Sequence, residues 1–282
     1  MKTNKRSTLI LVESAVMIAL ASVLSLVKFV DMPYGGSVTL ASMLPMVIIA
    51  YRHGVGVGFG AGFVYAVIQQ LLGLNTLSYV TGWQSIVAVI MLDYILAFVS
   101  VGLGGIFRKV YTSNTSKSQA TGLALGMLIV CVVRYVMHVI SGATVWAGLS
   151  IPSEAALIYS LGYNATYMIP EAIVNTAVAA YIGGIIDLSK NPPVTYRRGE
   201  DEKVSVSPVY RRIGVGALIL GGIVSICEIF LHLQNEESGE FTFAFLGEVD
   251  WVLVAIVLVL SVAVFAVTEI MRREALKQKE VK

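Results

Sequence analysis

The residues able to do chemistry in this chain are few, and most of them interrupt long apolar runs. Asp93, with Tyr94 beside it, breaks the run MLDYILAFVSVGLGGIF. Arg134 and His138 stand four apart in RYVMHVISGATVW, so they share one helix face, and Trp146 closes that stretch. Further on, Tyr159, Tyr163 and Tyr167 form a stripe at i, i+4 and i+8, with Asn164 one position off it and Glu171 after Pro170. An ionisable group inside a membrane helix is costly, so each one is a functional hypothesis. Asp93 has two readings: a structural partner for Arg134 or a neighbouring helix, or a counter-charge for a cationic ligand. The histidine and the aromatic residues also have plainer readings, as packing and as an interfacial belt. What favours a site is convergence, because polar and aromatic groups from three helices all fall in the outer half of the bilayer. A carboxylate among aromatic faces suits a flat, positively charged small molecule, through charge pairing, stacking and cation–π contact.

Other chemistries lack their residues. There is no GxxxxGK[ST] loop to cradle ATP phosphates, no HExxH, and no Cys cluster. Cys131 and Cys227 lie in apolar runs and read as small buried hydrophobes. No metal or cofactor is expected, and no catalytic set: the chain does not read as an enzyme. A net charge of +2 gives no reason to expect a nucleic-acid partner.

The elements that must position these residues are membrane helices. Hydrophobic residues make up 56% of the 282 and charged ones 13%, against roughly 25% charged in a soluble domain. Mean hydropathy is +0.79. The surrounding solvent is therefore a lipid bilayer. A spanning helix needs about 20 apolar residues, and eight candidates run near 8–30, 38–52, 54–73, 83–107, 119–142, 157–188, 213–233 and 251–271. If the N-terminus is inside, 18 of the 20 basic residues fall on the cytoplasmic side, all but Lys28 and Arg134. The outer loop 234–250 carries five carboxylates and no Lys or Arg. This predicts an all-α polytopic membrane protein with both termini in the cytoplasm (N-in/C-in). Its six-helix bundle spans 1–188, a charged linker follows at 189–212, and a two-helix hairpin with a basic tail fills 213–282. Glu13 and Glu228 are expected to pair within the bundle. The glycines at 54, 56, 58, 60 and 62 are expected to let helices approach closely.

Several stretches together carry a family resemblance: AVMIALASVLS, MPYGGSVTLASMLPM, YRHGVGVGFGAGF, MLDYILAFVSVGLGGIF, RYVMHVISGATVW and YSLGYNATYMIP. Over about 8–188 the chain resembles the thiamine-specific substrate-binding (S) component of energy-coupling factor (ECF) transporters, a thiamine transporter family. The resemblance implies a six-helix S-component-like bundle in the bacterial cell membrane, with the C-terminal hairpin as an extension. It implies capture of thiamine from outside and delivery with a separate module, made of a transmembrane coupling subunit and two cytoplasmic ATPases. It carries the thiamine-contacting roles onto Asp93 and Tyr94, His138, Trp146, Tyr159 and Asn164. Tyr163 belongs to the same stripe, and Trp83 is a further stacking candidate. Ala15 and Ala19 match the small-residue surface that docks on the coupling subunit. Three departures stand out: Asp93 where Glu also occurs, Gly35-Gly36 where some members have a stacking tryptophan, and a longer loop before the fourth helix. Alternatives are a stand-alone proton-coupled carrier using Asp93, Glu171 or Glu228, an S component for another aromatic vitamin, and a non-transporting membrane protein.

Overall fold

The computed structural model describes residues 2–32, 35–111, 115–146, 155–196, 209–232 and 243–280. The chain falls into two compact units, Met1–Val204 and Ser205–Lys282.

The first unit opens with α1 (Lys2–Leu26), then a small antiparallel hairpin of β1 (Lys28–Asp31) and β2 (Ser37–Thr39). This hairpin replaces the ends of two expected helices. Gly35 and Gly36 take φ of +101° and +90°, a region open to glycine and strained for other residues, and Met32 N–H donates to the Gly36 carbonyl at 2.9 Å. Helix α2 (Leu44–His53) therefore starts late, with Pro45 in its first turn, and ends at Gly54 with φ +103°. Its ten residues rise only about 15 Å, so the second expected span is a short buried helix. Together with the stretch before it, the chain returns from the end of α1 near Ser25, at Thr39, to the end near Arg6, at Arg52.

Helix α3 (Val55–Leu72) follows directly. Gly58 faces Ala50 of α2, where an added Cβ would lie 2.5 Å from the alanine's, and Gly62 faces Val101. Gly56 and Gly60 have nothing within 4 Å. Of the five expected close-approach glycines, then, 58 and 62 serve that purpose and 54 terminates a helix.

A short 3₁₀ turn (Leu74–Tyr79) leads to α4 (Trp83–Lys109), one helical rod with three kinds of winding. It is α-helical over Trp83–Val89, π-helical over Ile90–Leu96, and 3₁₀ over Ser100–Lys109. In the tight last part Gly102, Gly104 and Gly105 let α3 and α2 come against the backbone. Two long helices complete the bundle: α5 (Ser116–Thr144), N-capped by the Thr115 hydroxyl, and α6 (Ala156–Ile185), with Pro170 inside it. A short pairing of β3 (Ile186–Asp187) with β4 (Val194–Thr195) follows.

The core gathers on α2, whose Met46, Val47, Ile49 and Ala50 are wholly or almost wholly buried. Glu13 of α1 meets Arg52 Nε at 2.5 Å and His53 Nε2 at 2.8 Å. Outward faces are apolar, as a lipid-facing surface requires; on α1, Leu11, Val12 and Val16 are all exposed.

The second unit pairs α7 (Val209–His232) with α8 (Trp251–Glu280). Small residues form the seam: Gly221 lies against Ser261, and Gly214 against Thr268 and Phe265. Glu228 meets His232 at 3.2 Å and accepts from the Asp250 N–H at 3.3 Å. Among the described residues, six helical stretches are long and apolar enough to cross a bilayer: Arg6–Leu26, Val55–Leu72, Trp83–Lys109, Ser116–Thr144, Ala156–Ile185 and Trp251–Glu274. They match six of the eight expected spans, and the 24-residue α7 lies where the seventh was placed.

Candidate functional site

Asp93 and Tyr94 owe their position to the π-helical stretch of α4. Seven consecutive residues there wind more widely than an α-helix, and such segments recur at functional sites. The Asp93 carboxylate meets groups from α5 and its C-terminal end. Oδ1 lies 2.8 Å from His138 Nδ1, and Oδ2 accepts from Ser141 Oγ at 2.7 Å and from Trp146 Nε1 at 3.2 Å. His138 and Ser141 are three apart on one face of α5, and the helix ends with Trp146 folded back into the buried interior. Asp93 is thus held by three groups, none of them Arg134, so the structural pairing of Asp93 with Arg134 is not formed. Arg134 instead lies 4.5 Å from the Phe98 ring centroid, with Nη1 2.6 Å from Met43 Sδ.

Tyr94 points to the other side of α4 and donates to the Gly73 carbonyl at 3.1 Å. A side chain at position 73 would collide with the Tyr94 hydroxyl, so this glycine is what lets the ring seat there.

Helix α6 supplies the aromatic wall. The Tyr159 and Tyr163 rings stack at 6.3 Å and 12°, and Tyr163 meets Tyr167 edge-on at 6.2 Å. Tyr163 donates to the Gly35 carbonyl at 3.1 Å, tying the wall to the β1–β2 turn. Asn164 is buried, donates to the Ser160 and His138 carbonyls, and accepts from Tyr167 OH at 2.6 Å. The Tyr167 ring in turn lies edge-on to His138.

These groups line a cavity of about 400 Å³ at the end of the bundle where α1 stops, near Ser25 and Leu26. That volume lies within the range of roughly 300–1,000 Å³ usual for small-ligand sites. Asp93, Tyr94, His138, Trp146, Tyr159, Tyr163 and Asn164 all border it. Trp83 does not. It opens α4, is 65% exposed, and is absent from the lining. Ala15 and Ala19 are also elsewhere, on the exposed face of α1.

Sequence reasoning missed part of the lining. Thr39 of β2 binds Glu171 of α6 twice, its N–H donating to Oε2 at 2.6 Å and its hydroxyl to Oε1 at 2.8 Å. These partners are 132 residues apart, so no local pattern announces them. Ser141 was within reach, because it shares a helix face with His138. At the mouth, Lys28 and Asp31 pair at 3.0 Å on the hairpin.

Among the described residues, a deep, aromatic, carboxylate-bearing cavity inside a bundle of apolar helices defines a membrane protein built to hold a small molecule. The comparisons give the family. The model of the thiamine transporter protein family (Thia_YuaJ) matches residues 11–186, and this chain belongs to that family. The thiamine transporter ThiT of Bacillus subtilis (strain 168) is 35% identical over 170 residues, 58% of this chain and 84% of that protein. ThiT of Lacticaseibacillus paracasei is 27% identical over 198 residues, covering 66% and 90% of the two chains. The solved structure of ThiT from Listeria monocytogenes matches with a TM-score of 0.52 at 25% identity, over 63% of this chain and 94% of that one. The family match ends before the C-terminal unit begins.

Proposed function

We propose that this protein captures thiamine in the cavity between α4, α5, α6 and the β1–β2 hairpin, with its mouth on the outer face of the cell membrane. The observation that carries the reading is the Asp93 carboxylate, set in a site walled by Tyr159, Tyr163, Tyr167, His138 and Trp146. Thiamine has a fixed-charge thiazolium and a flat aminopyrimidine. The carboxylate matches the charge, and the rings offer stacking and cation–π contact. Asn164 and Tyr94 supply the polar contacts that fix orientation.

The same reading has the chain work as an S component. The exposed Ala15 and Ala19 on α1 form the close-approach surface for a transmembrane coupling subunit, which two cytoplasmic ATPases drive. Both termini face the cytoplasm, where the charge distribution of the sequence places them. Tight binding of thiamine to the detergent-purified chain, followed by titration, tests the capture step; no saturable binding refutes it. Uptake measured in a host with and without a coupling module tests the second step. Uptake that persists without the module and collapses with the proton gradient would replace the S-component reading with a proton-coupled carrier.

A further inference from the structure

At the opposite end of α1 from the cavity lies a second recess, of about 500 Å³, which the transport reading does not use. It is lined by Arg6 of α1, Arg52 and His53 of α2, Arg108 of α4, and Lys190 after β3. Four of these are permanent cations. Only Arg52 is neutralised, by Glu13 at 2.5 Å. Arg52 is also spent on backbone, donating to the Leu188 carbonyl at 2.5 Å and the Lys190 carbonyl at 3.1 Å. Arg108 donates to the Arg52 carbonyl at 2.6 Å, which anchors its guanidinium at the recess. Among the described residues, Arg6, Arg108 and Lys190 have no carboxylate partner. Arg6 and Arg108 border the same recess from α1 and α4.

Holding like charges around a concavity is unfavourable unless an anion fills it. Guanidinium groups from two helices match the oxygens of a phosphate in particular. Leu9 and Ile10 border the same recess, and above them α1 presents Val12 and Val16, 57% and 61% exposed, to the lipid. A charged recess continuous with an apolar, lipid-facing strip accommodates a headgroup below and acyl chains above.

We propose that this recess is a binding site for a phosphate-bearing anion, built by Arg6, Arg108 and Lys190 on the frame that Arg52 and Glu13 hold. The two sources of such a group are an anionic phospholipid and a soluble phosphate. The full chain is purified in detergent, and native mass spectrometry counts retained phosphatidylglycerol against phosphatidylcholine. A parallel arm follows thermal stabilisation by inorganic phosphate against chloride at equal ionic strength. Three proteins are compared: the wild type, Arg6→Gln with Lys190→Gln, and Lys109→Gln with Lys117→Gln. The last pair removes the same charge from exposed sites outside the recess. Helical circular dichroism and a monodisperse gel-filtration peak confirm that each variant is folded.

Each cation near an anionic headgroup changes binding about fivefold, so the recess pair should lower retention roughly thirtyfold. The control pair should leave it nearly unchanged. Selective retention of phosphatidylglycerol, lost only in the recess variant, assigns a lipid headgroup. Stabilisation by phosphate without lipid preference, again lost only in that variant, assigns a soluble phosphate. Absence of both effects, or equal losses in the two variants, overturns the site.

Discussion

Replacing Asp93 by asparagine removes one charge and little else, which makes it the sharpest test of the thiamine reading. The carboxylate faces three groups: His138 Nδ1, Ser141 Oγ and Trp146 Nε1. An amide placed with its oxygen toward Ser141 and Trp146 keeps both of those donors satisfied. Its NH₂ then faces His138 Nδ1, which accepts in the tautomer protonated on Nε2. The fold should therefore tolerate the change with a loss of at most about 1 kcal/mol. Binding is another matter. A thiazolium about 4 to 5 Å from the carboxylate gains roughly 3–4 kcal/mol at an effective dielectric near 20. Desolvation of the two ions offsets part of this, leaving a net loss of about 1–3 kcal/mol. That corresponds to roughly 5- to 150-fold weaker binding. Calorimetric titration is the right assay, because Trp146 is itself bonded to Asp93 and its fluorescence would change for local reasons. The uncharged aminopyrimidine half of thiamine serves as control and should lose far less affinity. Unchanged thiamine affinity in a folded Asp93→Asn protein would refute the charge pairing, as would equal losses for thiamine and the neutral fragment.

Three further outcomes follow from packing. Gly36→Ala puts a Cβ 2.5 Å from the Tyr167 ring at a φ of +90°, whereas Gly35→Ala meets the Thr76 side chain no closer than 3.4 Å; thermal unfolding should show the first losing about 1–3 kcal/mol more than the strain of positive φ common to both. Gly58→Val drives a branched side chain into Ala50 and the Gly102 backbone, so it should lower stability by 1 to ~3 kcal/mol or prevent accumulation of folded protein, while Gly60→Val, with nothing within 4 Å, should be nearly silent in the same melt. Thr39→Val keeps the N–H bond to Glu171 but removes the hydroxyl that binds Glu171 and Ser42, costing about 1–3 kcal/mol by denaturant titration.

Much of this was readable from the chain because membrane helices are dictated by local composition. The spans expected at 54–73, 83–107, 119–142 and 157–188 differ from α3, α4, α5 and α6 by three residues or fewer at each end. Counting along the helices puts the polar and aromatic groups in the outer half of the bilayer, and there Asp93, His138 and Trp146 meet. Of the two structural partners open to Asp93, Arg134 or a neighbouring helix, the second is the one that forms, through His138 and Ser141 of α5. The β1–β2 hairpin was also misread. Its strands are only four and three residues long, and Val27, Phe29 and Val30 extend an apolar run that reads as helix. The controlling signal was Gly35-Gly36, whose positive φ turns the chain back. Nothing local shows a change from α to π winding at Ile90, since the hydrophobic pattern is the same in both.

Besides Asp31 at its mouth, the cavity is bordered by two carboxylates, Asp93 and Glu171, and their surroundings assign them different work. Both Glu171 oxygens are taken by one residue, Thr39, and the side chain is only 2% exposed. It fastens the β1–β2 hairpin, which closes one side of the cavity, to α6. Asp93 is held by groups that also wall the cavity, His138 and Trp146, so a ligand cation there meets charge and rings together. Glu171→Gln keeps one acceptor for the Thr39 N–H, and its NH₂ can donate to the Thr39 hydroxyl. The hairpin should therefore stay seated, with stability lowered by about 1–2 kcal/mol through loss of the charge-assisted bonds. Thiamine and its neutral aminopyrimidine half should weaken by similar factors, because the change acts through the shape of the site. In Asp93→Asn the two ligands should separate. A Glu171→Gln protein that discriminates against the cation as strongly as Asp93→Asn would move the counter-charge to Glu171 and end the assignment of Asp93.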